Sequence, residues 1–147
     1  MSLHFTESEY QIRENKVAIQ LENNNLDALL IFRQESMYWL TGYDTFGYVF
    51  FQCLVITKDG DKILLTRAPD LRQAQNTSNI KDIRIWIDID GSNPAEKLKD
   101  ILNELNLRNK HVGVEYESYG LTGLNAIRLN KTLENFSNLS DQSLLIS

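Results

Sequence analysis

Few residues of this chain combine in the way that chemistry at a metal ion or a scissile bond requires. His4 and His111 are its two histidines, too far apart for the i, i+4 helical pair that binds zinc. His111 follows Arg108-Asn109-Lys110 and reads as a solvated turn residue. Asp88-Ile89-Asp90-Gly91 opens like a calcium loop, but Asn93 stands at the sixth position, where glycine is needed, and Lys99 at the twelfth, where a glutamate is needed. A strand-to-helix turn with solvated aspartates explains it better. Gly42, Gly47, Gly113, Gly120 and Gly123 fit neither phosphate-cradling glycine pattern, and no G-x-S-x-G elbow is present. Glu115 and Glu117 are paired acids after a strand, without a histidine or metal set beside them. Cys53 is the single cysteine, so it forms no intrachain disulfide, and its apolar surroundings predict a buried, inert thiol.

What stands out instead is aromatic. Tyr38, Trp39, Tyr43, Phe46, Tyr48, Phe50 and Phe51 place seven of the fourteen aromatics within fourteen residues. Trp39, Leu40 and alternate residues of the strand that follows are expected to pack in the core. The connection from Gly42 to Gly47 mixes turn residues with Tyr43 and Phe46, and connections run over the surface. Tyr43 and Asp44 are therefore expected to leave the core at Gly42 and to present a contact surface.

The elements that must position this segment follow from local signals. Thr6 with Glu9 has capping-box spacing, with Phe5 and Tyr10 placed as a hydrophobic staple, so a helix starts there and ends near Asn23-Asn24-Asn25. Ala28 to Phe32 is a short continuous apolar run, the mark of a strand covered on both faces. A short helix over about Glu35 to Thr41 closes on Gly42. Tyr48 to Thr57 reads as a strand, Lys58-Asp59-Gly60-Asp61 as a turn, and Lys62 to Thr66 as the return of a hairpin. A helical piece near Pro69 to Gln75 precedes a strand at Ile83 to Ile87. Asn93-Pro94-Ala95-Glu96 opens a helix with Leu98, Ile101, Leu102 and Leu105 as its buried stripe. Val112 to Glu115 is predicted as a strand, Thr122 as the cap of a helix to about Asn130, and Leu133 to Phe136 as a last short strand. Strands alternating with helices, plus one hairpin, predict a single α/β domain with a mixed sheet of five to six strands flanked by helices.

Composition narrows the partners. The 147 residues carry a formal charge of −5 with no basic run, which argues against nucleic acid. No apolar run reaches the roughly 18 residues that would span a bilayer, and no leader is visible. A cytoplasmic protein without a membrane partner is the expectation.

The order Leu26-Asp27-Ala28-Leu29-Leu30-Ile31, then Tyr38-Trp39-Leu40-Thr41-Gly42-Tyr43, then Val112-Gly113-Val114-Glu115 resembles the amino-terminal domain of the creatinase/prolidase family, which includes Xaa-Pro dipeptidase, aminopeptidase P and ectoine hydrolase. The resemblance runs from about Phe5 to Phe136, and Trp39 to Phe51 is most similar to the creatinase and ectoine hydrolase branch. It implies a ribonuclease H-like fold over 1–147, with 137–147 as the start of a linker to an absent catalytic pita-bread domain. It implies that this domain binds no cofactor, a divalent metal pair belonging to the catalytic part of peptidase members. It also implies a homodimer acting on a small peptide or amino-acid-like substrate, in which this domain covers the partner's active site. By position, Tyr43, Asp44, Phe46, Tyr48, Phe50 and Gln52 would line that pocket or the dimer surface. Creatinase has an arginine on this strand and Tyr48 to Cys53 has none; Arg67 and Arg72 are the remaining candidates for a substrate carboxylate. Two other readings stay open: a free-standing protein-binding or dimerisation module, and a small enzyme of unrelated class.

Overall fold

The computed structural model describes residues 5–45 and 50–146, and its core is a six-stranded mixed sheet with helices on both faces. The strands are β1 (Ala28–Ile31), β2 (Cys53–Thr57), β3 (Lys62–Arg67), β4 (Asp82–Trp86), β5 (His111–Val114) and β6 (Asn138–Asp141), and the helices α1 (Glu7–Asn23), α2 (Gln34–Thr41), α3 (Leu71–Thr77), α4 (Pro94–Glu104) and α5 (Gly123–Leu133). The spatial order is β4-β3-β2-β1-β5-β6. β2 runs antiparallel to both β1 and β3, while the β1–β5, β3–β4 and β5–β6 pairs are parallel.

The period of two along a strand divides the core. Ala28, Leu30, Cys53, Val55, Ile63 and Leu65 pack with Leu98, Ile101 and Leu102 of α4 and Leu129 and Leu133 of α5. Leu29, Ile31, Leu54, Ile56 and Leu64 turn the other way, onto Val17 and Leu21 of α1, Met37 and Leu40 of α2 and Ala74 of α3. With both faces covered, β1 and β2 are buried at every position, as the apolar runs Ala28–Ile31 and Cys53 to Ile56 predict.

The caps fall where the sequence places them. Thr6, Asn93 and Thr122 accept from the N–H groups of Glu9, Ala95 and Asn125 at 3.2, 3.1 and 3.2 Å. Phe5 and Tyr10 meet edge to face, their centroids 5.9 Å apart. Gly42 closes α2 in the left-handed region, φ 83°.

Three expectations are corrected. Of the strand expected over Tyr48 to Thr57, residues 48 and 49 lie outside the described residues, and β2 begins at Cys53 with Phe50 to Gln52 outside it: the Phe51 carbonyl accepts from the Trp86 indole N–H at 2.8 Å instead of joining the ladder. Leu133 to Phe136 is no strand. Leu133 ends α5 and the chain then turns through Asn135 at φ 61°, seating Phe136 in the core. The last strand is β6, inside the stretch expected to be linker; it is an edge strand whose residues are exposed but for half-buried Leu139, so no apolar alternation announces it.

Candidate functional site

The aromatic connection lies at one end of the sheet, where β1, β3, β4 and β5 finish and β2 begins. Thr41 Oγ1 donates to the Met37 carbonyl at 2.7 Å and accepts from the Tyr43 N–H at 3.1 Å. Together with Gly42 this turns Tyr43 inward. Tyr43 is fully buried, which corrects its expected place on the surface. Its hydroxyl donates to Gln52 Oε1 at 2.5 Å, and Thr66 Oγ1 donates to the same oxygen at 3.0 Å. A phenol can enter a core when its hydroxyl finds a partner; Gln52, the residue before β2, is that partner, and Thr66 of β3 bonds the same oxygen. Burial raises the Tyr43 pKa, so it remains a neutral donor. Gln34 Nε2 fixes the Tyr43 carbonyl at 2.8 Å.

Gln52, 2% exposed, is a buried bracket and not a surface residue. Asp44 is exposed, and its N–H donates to Thr77 Oγ1 at 3.1 Å. Phe50 is 39% exposed and lies against Arg67, whose guanidinium carbon is 3.4 Å from the ring centroid. Arg67 bonds Asp70 at 3.2 Å and lies 3.8 Å from Asp88; Asp70 also accepts from Thr45 Oγ1 at 3.3 Å. Arg72 is exposed. Phe46 and Tyr48 lie outside the described residues.

So Asp44 and Phe50 reach the surface, while Tyr43, Gln52 and Thr66 form a buried hydrogen-bonded cluster. Among the described residues, Arg67 faces both Asp70 and Asp88. Cys53, the residue after Gln52, is buried, and burial pushes its thiol well up.

The sequence singled out Glu115 only as one of two paired acids and missed its role. This residue is fully buried: Oε1 accepts from the Phe32 and Arg33 N–H groups at 3.1 and 3.0 Å, and Oε2 from Ser36 Oγ at 2.8 Å. Arg33, at the N-cap of α2, makes no side-chain cap bond; a carboxylate from the end of β5 does that work and favours the positive end of the helix. Burial raises the Glu115 pKa, and the Arg33 and Ser36 donors oppose it. The signal was an acid at the end of an apolar strand, legible only once β5 lies beside β1. His111 is exposed, Asp88 and Asp90 lie on an exposed turn, and among the described residues no cluster of three His, Cys, Asp or Glu could hold a metal ion. No described helix is long and apolar enough to cross a membrane.

Comparison with known proteins agrees with this architecture. The family model described as Creatinase/Prolidase N-terminal domain matches residues 13–147. An uncharacterized hydrolase/peptidase of Sinorhizobium fredii is 30% identical over 152 aligned positions, covering 99% of this chain and 38% of its own length. The ectoine hydrolase of Halomonas elongata is 30% identical over 133, covering 81% of this chain and 32% of its own. The chain thus spans about a third of the length of these curated relatives. In fold, it superposes on an Xaa-Pro aminopeptidase structure from Streptococcus pyogenes with a TM-score of 0.75 at 18% identity, over 96% of this chain and 97% of that one.

Proposed function

Since the chain belongs to the creatinase/prolidase N-terminal domain family, we propose that it serves as the non-catalytic amino-terminal domain of a hydrolase that cleaves an amide-type C–N bond. The observation that carries this reading is the alignment of nearly the whole chain with about a third of a longer hydrolase/peptidase. In this role the domain aids dimerisation and covers the active site of the partner subunit, with Asp44 and Phe50 facing it and Tyr43 and Gln52 holding them from below. Phe46 and Tyr48 belong to the same connection. The substrate is a small peptide or amino-acid-like molecule, and any divalent metal pair is held by the catalytic part. The physical gain is water exclusion and substrate positioning.

The test is subunit complementation in the full-length protein. Phe50→Ala is expected to lower kcat/KM by about tenfold or more. Mixing it with a subunit whose catalytic part is inactivated restores activity if Phe50 acts across the dimer. Failure of the mixture to recover, or a natural reading frame ending at residue 147, would sink the proposal. Ile87 and Ile89, exposed beside the outer edge of β4, favour the second reading, a protein-binding module. Light scattering that shows dimers lost on Ile87→Lys, without any hydrolase activity, would support that module instead.

A further inference from the structure

We propose that Gln142–Ile146 is a rigid strap that fixes the direction in which the chain leaves the sheet, seated by Gly113 and Ser143. The ladder between β5 and β6 ends at the Val114–Asp141 pair, but the chain does not leave there. The Gln142 N–H donates to the Val114 carbonyl at 2.9 Å. The Gln142 side chain lies flat on Gly113, where an added Cβ would stand 2.6 Å from its Cγ and 3.0 Å from its Cβ. This explains a glycine in the middle of a buried strand.

Ser143, 5% exposed, is the centre of the clamp. Its Oγ accepts from the Glu117 N–H at 2.9 Å and donates to Asp141 Oδ1 at 2.5 Å, and its N–H donates to that same oxygen at 3.1 Å. Its carbonyl accepts from Arg33 Nη1 at 3.4 Å. The Leu145 N–H returns to the Gln142 carbonyl at 3.1 Å. Leu145 and Ile146 then pack, together with Trp39, against the core layer of α1 and α2. The strap therefore joins the ends of β5 and β6 to α2, the helix that carries the aromatic connection. A segment bonded at both ends and packed on a core opens with the sheet and not as a fraying tail. In a protein where a catalytic part follows, the strap holds that part and the aromatic connection in one relative orientation; this consequence rests on the reading above.

Hydrogen exchange on the full-length protein tests the strap. The amides of Glu117, Gln142 and Leu145 are expected to exchange at least about a hundredfold more slowly than in an unstructured peptide. Ser143→Ala and Gly113→Ala should each speed them by about tenfold or more while the amides of β2 and β3 stay protected. Free-peptide exchange in the unsubstituted protein, or no change on substitution, overturns the strap. Should Gly113→Ala loosen β2 and β3 as well, Ser143→Ala decides. For orientation, spin labels at Lys97→Cys and beyond residue 147 should give one narrow distance distribution that broadens in Ser143→Ala. An unchanged width overturns the orienting role. A protein with nothing after the strap removes that role together with the functional reading, while exchange still judges the strap.

Discussion

Glu115 and Ser36, 79 residues apart in sequence, meet as buried carboxylate and hydroxyl at 2.8 Å, and with the Phe32 and Arg33 amides they tie the end of β5 to the first turn of α2. Removing the carboxylate orphans buried donors. Glu115→Ala should therefore cost about 2–4 kcal/mol, read from the urea midpoint. Glu115→Gln retains an oxygen for the two amides and should cost less than about 1 kcal/mol.

The same group sets a pH dependence. Its folded-state pKa lies above the ordinary carboxylate value of 4.5 because it is buried. The folded chain then binds the proton more tightly than the unfolded one. Its contribution to stability is present below 4.5 and is lost as pH rises through the raised value. Urea midpoints measured across that window should fall with pH more steeply in the unsubstituted protein than in Glu115→Gln. Parallel slopes would refute the assignment.

Gly42 is closed to any side chain on two counts. Its φ is 83°, and an added Cβ would lie 2.6 Å from Tyr10 Oη and 2.8 Å from the Thr77 carbonyl. Gly42→Ala should destabilise by about 2 kcal/mol or more. Adding Tyr10→Phe should recover only part, because the Thr77 backbone and the left-handed conformation remain.

Tyr43→Phe removes one hydroxyl from Gln52, which keeps its bond from Thr66, and should cost about 1 kcal/mol. Tyr43→Ala opens a core cavity and should cost about 3–5 kcal/mol. Loss of dimer or activity in the alanine variant therefore reports on folding; exposed Asp44 and Phe50 are the positions that report on contact.

Phe50→Ala and Arg67→Ala, each alone and combined, should show a coupling of about 0.5–1 kcal/mol in a thermodynamic cycle, from the guanidinium stacked on a half-exposed ring.

Where the determinant is local, the fold was legible. Asn93-Pro94 and Thr122 mark their helices because a cap needs only the next three residues, and β1 announced two covered faces because every one of its side chains is apolar. Tyr43 was misplaced because Gly42 and Asp44 beside it are turn residues, while the oxygen that draws it inward belongs to Gln52, seated by the β2–β3 pairing. β6 escaped because Asn138-Leu139-Ser140-Asp141 lies at a sheet edge with little to bury, so backbone pairing alone defines it. Glu115 could not be assigned a role before the parallel β1–β5 pairing brought it under Phe32 and Arg33. Of the aromatic connection, the exposure of Asp44 was legible in the sequence; the burial of Tyr43 and Gln52 was not.

Cys53 sits at 0% exposure in the middle of the sheet, and it is the single cysteine of the chain. Its thiol points into the layer packed with α4 and α5, so it meets a water-borne reagent only when that layer lifts from the sheet, and its labelling rate is a clock for that opening. Any cysteine introduced on the surface will react long before it, giving each dye or cross-linker one address in this domain without first removing a native thiol.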